Sequence, residues 1–243
     1  MIELKNISKK YGNSSKYAVQ PTDLSIKPGK IIGFIGHNGA GKSTTLKMMT
    51  GVLTPSTGDV IINGYSITND DLKAKKEFGY VPDSPDVFLK LTGFEYLNFM
   101  GTAYGVEPSI LKKRIDELAN QYLMSDKLGD LIDSYSHGMR QKIVVMGALV
   151  HEPHIMILDE PLTGLDPQAS RLLKDSMKDH VAKGHTVLFS THVLEVAEKL
   201  CDEILVINKG KFIYQGTLEA LKEQYSESTS LEDIFFAITS END

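Results

Sequence analysis

The sequence has a single cysteine, no long apolar run and no surplus of basic residues. Cys201 has no second cysteine to pair with, which excludes an internal disulfide. No apolar stretch approaches the roughly 20 residues that a helix needs to cross a bilayer, so any membrane crossing is expected from another polypeptide. Residues 1–5 lack the features of a secretory signal. The net charge of −6 argues against general nucleic-acid binding, which requires a basic face.

The chain itself has the composition of a globular protein, with 41% hydrophobic and 24% charged residues. Short apolar runs predict buried strands at residues 2–7, 22–26, 31–35, 59–62, 78–81, 155–158, 186–190, 203–207 and 212–215. Helices are predicted at residues 42–50, 71–76, 93–104, 108–122, 137–150, 167–182 and 192–199. Strands and helices alternate at both ends, whereas residues 84–150 carry only helical patterns. We therefore predict an α/β core with a helical insertion.

A glycine-rich segment lies between a predicted strand and a predicted helix. It reads Gly36-His37-Asn38-Gly39-Ala40-Gly41-Lys42-Ser43-Thr44 and fits the pattern Gly-x-x-x-x-Gly-Lys-Ser/Thr. Glycines let the backbone approach phosphate oxygens, and the N–H groups at the helix N-terminus then face the anion. We expect Lys42 between the β- and γ-phosphates and the Ser43 hydroxyl on Mg²⁺. The segment predicts a nucleoside triphosphate, without indicating which one or what its energy drives.

A pair of carboxylates follows the apolar run at residues 155–158. Asp159 is expected at the carboxyl edge of the sheet, where ligands bind in open α/β folds and where an aspartate can hold Mg²⁺. Glu160 comes next and is suited to act as general base for a water that attacks the γ-phosphate. By itself the pair is also compatible with a solvated acidic turn, and its proximity to the glycine-rich segment in the predicted fold favours the catalytic interpretation.

Between these two motifs, residues 135–141 read Tyr-Ser-His-Gly-Met-Arg-Gln. This segment resembles the signature of the ATP-binding cassette ATPases, and the resemblance extends over roughly residues 2–220. In that family, Ser136 and Gly138 begin a helix whose N-terminus points at the ATP held by another subunit. Tyr11 resembles the aromatic residue that stacks on adenine, and His192 the histidine that senses the γ-phosphate.

The resemblance implies a fold, a reaction and partners. The fold is an α/β P-loop NTPase core with a mixed, mostly parallel sheet, an N-terminal antiparallel β subdomain and an inserted helical subdomain. Residues 1–220 would form one ATPase domain, with 1–83 and 151–220 as its core and 84–150 as the insertion. Beyond the region of resemblance, the apolar pattern of residues 231–236 predicts a short amphipathic helix docked on the core, so residues 221–243 are expected to form a short C-terminal helix and tail. The chain would bind ATP and Mg²⁺ and pair with a second ATPase subunit, a homodimer being expected. It would serve transmembrane permease subunits from the inner face of the cell membrane.

The catalytic residues implied are Lys42, Glu160 and His192, with Ser43, Asp83 and Asp159 as metal ligands. Asp83 departs from the family, which usually has glutamine there. Together with the pattern Ser-x-Gly-Met-Arg-Gln, an acidic residue at this position resembles the cassettes that serve drug, peptide, lipid and polysaccharide exporters.

Two other functions are compatible with parts of the sequence. A cassette ATPase that acts on nucleic acid or the ribosome usually has long coiled coils, zinc modules or a second cassette, and none is visible here. A nucleotide kinase or GTPase would share only the glycine-rich segment, and it would leave the signature and His192 unexplained. The run Asn208-Lys209-Gly210-Lys211 also lacks the closing aspartate of a guanine-reading motif.

Overall fold

The computed structural model describes residues 1–12, 14–225 and 230–241 and contains two β-sheets with helices packed around them. The smaller sheet is antiparallel and has the order β2-β1-β4-β5. Its strands are β1 (Ile2–Lys10), β2 (Tyr17–Ile26), β4 (Thr57–Ile62) and β5 (Tyr65–Ser66). We did not predict β5, because two residues are too few for an alternating pattern to be recognised.

The larger sheet has the order β10-β9-β3-β8-β7-β6, and only β10 runs antiparallel to its neighbour. Its strands are β3 (Ile31–Ile35), β6 (Phe78–Val81), β7 (Ile155–Leu158), β8 (Thr186–Thr191), β9 (Glu203–Asn208) and β10 (Lys211–Gly216). Every residue of β3, β7 and β8 is buried, as expected for parallel strands covered on both faces. The carboxyl ends of these three neighbouring strands meet at one edge, where the motifs of the sequence are brought together.

The helices are α1 (Lys42–Met49), α2 (Asp71–Lys76), α3 (Gly93–Ala103), α4 (Pro108–Gln121), α5 (His137–Leu149), α6 (Pro167–Ala182), α7 (Leu194–Leu200), α8 (Leu218–Gln224) and α9 (Leu231–Glu241). Short 3-10 turns occupy Ser125–Lys127 and Ile132–Ser134. Thr92 and Glu95 form a capping box at the start of α3, and Asp166 caps α6 ahead of Pro167. These local signals explain why most helix boundaries were predictable.

Between β6 and β7 the described chain contains helices, turns and loops, and it has no strand apart from one isolated bridge that joins Thr92 to Leu131. Helices α3, α4 and α5 pack on one another and share a core with the covered face of the large sheet. Glycines permit this close packing: a Cβ at Gly147 would lie 2.5 Å from the Tyr96 ring, and one at Gly101 would lie 2.1 Å from Leu111. The expected fold class is therefore confirmed, with both an antiparallel sheet and a helical insertion.

The carboxyl-terminal part of the chain differs from the prediction in detail. Helix α7 begins at Leu194 instead of residue 192, because Thr191 ends β8 and its hydroxyl accepts a hydrogen bond from the Val193 backbone N–H, 3.0 Å away. Helix α8 was not predicted and extends across residue 220. Helix α9 buries its apolar side against α7 and β9. Within the described ranges, no helix is long and apolar enough to cross a membrane.

Candidate functional site

The glycine-rich segment, residues 36–44, forms the loop between β3 and α1 that we call the phosphate loop. Gly39 and Gly41 adopt φ values of 79° and 114°, which side chains with a Cβ rarely tolerate. Gly36 is required for a different reason, since a Cβ there would lie 2.6 Å from the Ile207 carbonyl oxygen. The backbone of the loop is therefore shaped by glycines, and its amides surround the N-terminus of α1.

Lys42 is buried inside this loop, with 6% of its surface exposed. Its ammonium donates hydrogen bonds to the carbonyl oxygens of Gly36 at 2.7 Å and His37 at 3.3 Å. It also forms an ion pair with Glu160 Oε1 at 3.4 Å. A buried ammonium needs such partners, and a phosphate that enters the loop would offer it a stronger one.

Asp159 follows β7 and is fully buried beside the phosphate loop. Its Oδ1 accepts hydrogen bonds from Ser43 Oγ at 3.0 Å and Ser190 Oγ at 2.7 Å. Its Oδ2 is buried and has no hydrogen-bond partner among the residues that the structure describes. Burial raises the pKa of the Asp159 carboxyl, and the bonds from Ser190 and Ser43 oppose that rise. A buried carboxylate oxygen without a partner, next to a serine hydroxyl, is the donor set that Mg²⁺ prefers.

The neighbouring strand β6 presents a second buried polar atom without a partner in the described chain, the Tyr80 hydroxyl. Burial raises the pKa of Tyr80, and the charges of Asp159 and Asp83 raise it further. Asp83 is exposed just beyond β6. The negative charges of Asp83 and Asp159 thus both act on the Tyr80 hydroxyl.

Glu160 adopts φ 48°, a left-handed conformation that is unusual for a residue with a side chain. Such strain costs about 1–3 kcal/mol and requires support from its surroundings. Ser190 provides part of it, because its Oγ accepts a hydrogen bond from the Glu160 backbone N–H at 2.8 Å. The Glu160 carboxylate lies between Lys42 and His192, whose Nδ1 is 2.9 Å from Oε2. The Glu160 carboxylate and the partly exposed His192 imidazole therefore lie next to Lys42 of the phosphate loop.

Tyr11 is half-exposed and lies beside the phosphate loop, with its hydroxyl 3.2 Å from Thr44 Oγ1.

The signature residues lie away from the phosphate loop. Ser136 is exposed and caps α5, accepting a hydrogen bond from the Met139 backbone N–H at 3.3 Å. Gly138 is buried, and a Cβ there would lie 3.1 Å from Asp166. In the described parts of the chain, no hydrogen bond or ion pair joins Ser136 or Gly138 to the phosphate loop.

The structure thus brings Lys42, Ser43, Asp159, Glu160 and His192 together and leaves Ser136 and Gly138 apart from them. Sequence reasoning missed Ser190, which holds both Asp159 and the Glu160 backbone. Its position at the carboxyl end of β8 was the available signal, because adjacent parallel strands place such residues at one edge. Sequence reasoning also missed Tyr80, which lies near the carboxyl end of the neighbouring strand β6.

Three comparisons relate this site to known proteins. The sequence profile of the family described as "ABC transporter" matches residues 19–163. The chain is 34% identical to the ABC-type transporter ATP-binding protein EcsA of Bacillus subtilis (strain 168), over 95% of this chain and 94% of that protein. A solved ATP-binding subunit of an ABC transporter is similar with a TM-score of 0.91 and 32% identity, over 98% of this chain and 99% of the other.

A second solved structure is a dimeric ATP-binding cassette in a post-hydrolysis state, bound to ADP and Pi. It is similar with a TM-score of 0.80 and 25% identity, over 90% of this chain and 99% of the other. These matches support a transporter cassette over a kinase, a GTPase or a cassette that acts outside transport. The chain belongs to the ABC transporter family, as an ATP-binding subunit with ATPase activity.

Proposed function

We propose that two copies of this chain close around ATP and Mg²⁺, hydrolyse the ATP in sites shared between them, and thereby drive the permease subunits of an exporter. The observation that carries this proposal is the separation of the site into two groups within one chain. Lys42, Asp159 and Glu160 converge at the phosphate loop, whereas the capped N-terminus of α5 at Ser136 has no partner group there among the residues that the structure describes.

The residues at the sheet edge fit Mg²⁺. Ser43 and Asp159 would hold the ion, with Asp83 contributing from the end of β6, since Asp159 Oδ2 is buried without a partner in the described chain. When bound, Mg²⁺ neutralises charge on the phosphate oxygens of ATP. The loop residues bind the phosphates through backbone N–H groups: Gly36, His37, Asn38, Gly39, Ala40, Gly41, Lys42, Ser43 and Thr44. The exposed ring of Tyr11 would stack on the adenine.

Three side chains carry the reaction in this proposal. Glu160 accepts a proton from the attacking water, which requires an unprotonated carboxylate close to the γ-phosphate. His192 holds the Glu160 carboxylate through the 2.9 Å contact and orients it. Lys42 exchanges its present partners for phosphate oxygens and stabilises the charge on the transferred group. The ion pair between Lys42 and Glu160 would then be broken, which frees the carboxylate for the water.

The signature residues complete the site of the other copy. Ser136 and Gly138 lie at the N-terminus of α5, where the helix dipole and free backbone N–H groups favour an anion. A γ-phosphate held by one copy satisfies those groups on its partner, so ATP joins the two chains. A symmetric homodimer has two such sites. Hydrolysis removes the shared phosphate and allows the dimer to open.

The helical insertion is the proposed contact with the permease. An aromatic patch of Phe88, Phe99 and Tyr96 lies on it, with ring centroids of Phe88 and Phe99 5.5 Å apart and both rings half-exposed. Exposed clusters of this kind mark interaction sites. The patch begins at Phe88, shortly after Asp83 in the chain, and therefore lies close in sequence to the proposed Mg²⁺ end of β6. The chain would therefore work in the cytoplasm, bound to the inner face of the membrane.

A complementation experiment tests the shared site. Lys42→Ala removes the phosphate contact of a chain, and Ser136→Asp retains the cap of α5 while placing a negative charge against the partner's ATP. Each variant alone should lose at least 95% of the ATPase activity. A mixture should recover activity, because a mixed dimer unites an intact phosphate loop with an intact signature.

A matched substitution controls for the helix cap. Thr217 caps α8 as Ser136 caps α5, and Thr217→Asp should leave the ATPase activity within about twofold of the wild-type value. A mixture of Lys42→Ala and Ser136→Asp that stays as inactive as its components, although both chains are folded and form a mixed dimer with ATP and Mg²⁺, would contradict a site shared between copies.

A further inference from the structure

The C-terminal helix α9 contacts the phosphate loop from its outer side. The Phe235 ring meets the His37 ring edge to face, with centroids 4.8 Å apart and an interplanar angle of 63°. Phe235 is 5% exposed and belongs to the core that α9 shares with α7 and β9. Its neighbour Phe236 is 52% exposed and lies farther from His37, at 6.2 Å. Both rings of α9 thus approach His37, but only Phe235 makes the close edge-to-face contact and also lies in the helix core.

His37 is the residue through which such a contact can act on the site. Its carbonyl oxygen accepts a hydrogen bond from the Lys42 ammonium at 3.3 Å, while its ring packs on Phe235. The strand residue before the loop, Ile35, lies in the same buried cluster as Phe235. The loop is thus connected to α9 at its start, through the apolar cluster that contains Ile35 and through the ring of His37.

A second connection reaches the middle of the loop, at Ala40. Asn208 at the end of β9 donates a hydrogen bond from Nδ2 to the Thr239 carbonyl oxygen of α9, 3.2 Å away. The turn that follows β9 donates from the Gly210 N–H to the Ala40 carbonyl oxygen at 2.8 Å. Between the two connections lies a cavity of about 270 Å³, lined by His37, Asn38, Gly39, Ala40, Asn208, Lys209 and Thr239. The loop is therefore supported at its start and at its middle, and this cavity adjoins its first part.

We propose that Phe235 is a positioning residue for the nucleotide site, and that α9 holds the phosphate loop, through His37, in the conformation that receives ATP. Glycines leave the loop many backbone conformations, so an outside contact that selects one of them lowers the cost of ordering it on binding. An edge-to-face aromatic contact is strong enough to change ATP affinity about threefold to tenfold. The proposal rests on the nucleotide site proposed above.

Phe235→Leu tests this role, because leucine remains apolar and favours a helix but lacks the ring edge. We expect the Kd and the KM for ATP to rise about threefold to tenfold, with kcat within about twofold of the wild-type value. Phe236→Leu, one residue away on the same helix, should bind ATP within about twofold of wild type. Titration with a fluorescent ATP analogue and steady-state hydrolysis measure these constants.

A double-mutant cycle separates positioning from a general structural effect. If Phe235 acts through His37, then Phe235→Leu should add less than about twofold to the Kd when His37→Leu is already present. Equal effects of Phe235→Leu in both backgrounds would overturn the proposal, as would an unchanged Kd in the single variant. If Phe235→Leu lowers the unfolding temperature, Phe235→Tyr retains the ring, and weak ATP binding by a stable Phe235→Tyr chain would also overturn it.

The Kd of Lys42→Ala, measured in the same titration, distinguishes a failure of the proposal about α9 from a failure of the proposed nucleotide site. If Lys42→Ala binds ATP as tightly as wild type, the site itself is misassigned. If Lys42→Ala binds weakly and Phe235→Leu binds normally, only the role of α9 fails.

Discussion

The two halves of the nucleotide site differ in how they are held within one chain. Around the phosphate loop, Lys42, Ser43, Asp159 and Glu160 are buried or half-buried and linked to one another and to Ser190. At the signature, Ser136 is exposed and bonds only with the first turn of its own helix among the residues described. The first half, around the phosphate loop, is therefore already assembled within one chain, and the second half, at Ser136, is exposed at the surface. Substitutions in the two halves should therefore impair ATP hydrolysis in different ways.

The largest effect on turnover is expected for Glu160→Gln. The amide is nearly isosteric and can keep the contact with His192, but it cannot accept the proton of the attacking water. Hydrolysis should fall by about 10²–10⁴-fold while ATP still binds. Phosphate release measured with saturating ATP, beside the Kd of the same chain, tests this prediction. Normal turnover by Glu160→Gln would remove Glu160 from its proposed role.

His192→Ala should have the next largest effect. It removes the imidazole that contacts Glu160 and leaves the carboxylate in place, so hydrolysis should fall roughly tenfold to a hundredfold. Because His192 is exposed and belongs to no core cluster of the described chain, the unfolding temperature without nucleotide should stay near that of wild type. A loss of stability comparable to that of a core substitution would indicate that His192 supports the fold instead.

Ser190→Ala should have a smaller effect on turnover and a larger one on the fold. It leaves Asp159 Oδ1 with Ser43 alone and removes the acceptor for the Glu160 backbone N–H. Deleting such a buried hydrogen-bond partner costs about 1–3 kcal/mol of unfolding free energy. Denaturant unfolding measures this cost, and Thr217→Ala, which removes an exposed cap, serves as the milder control. Equal stability of Ser190→Ala and wild type would show that the hydrogen bonds of Ser190 to Asp159 and Glu160 do not stabilise the first half.

The difference between the halves also determines what the sequence could predict. The phosphate loop and the cap at Ser136 are local patterns in which spacing indicates the structure, whereas the carboxylate pair was interpreted with the help of the phosphate loop. The bonds from Ser190 to Asp159 and Glu160 join β8 to β7, and their formation depends on the strand order, which spacing does not specify. The left-handed backbone of Glu160 is a consequence of the same packing.

The C-terminal helix shows the same limit over a longer distance. Its apolar pattern predicts that it docks, but not that Phe235 meets His37, which lies about two hundred positions away in the chain. The short β5 was missed because two residues give too little periodicity. Helix α8 was missed although α2 and α7, which are no longer, were predicted. Local chemistry was therefore predictable, and long-range support was not.

The central claim is that ATP joins two chains, and light scattering coupled to size-exclusion chromatography tests it most directly. Glu160→Gln protein should elute as a monomer without nucleotide and as a dimer with ATP and Mg²⁺, whereas the double variant with Ser136→Asp should remain a monomer in both conditions. A Glu160→Gln chain that binds ATP and Mg²⁺ to saturation and still elutes as a monomer would contradict the account.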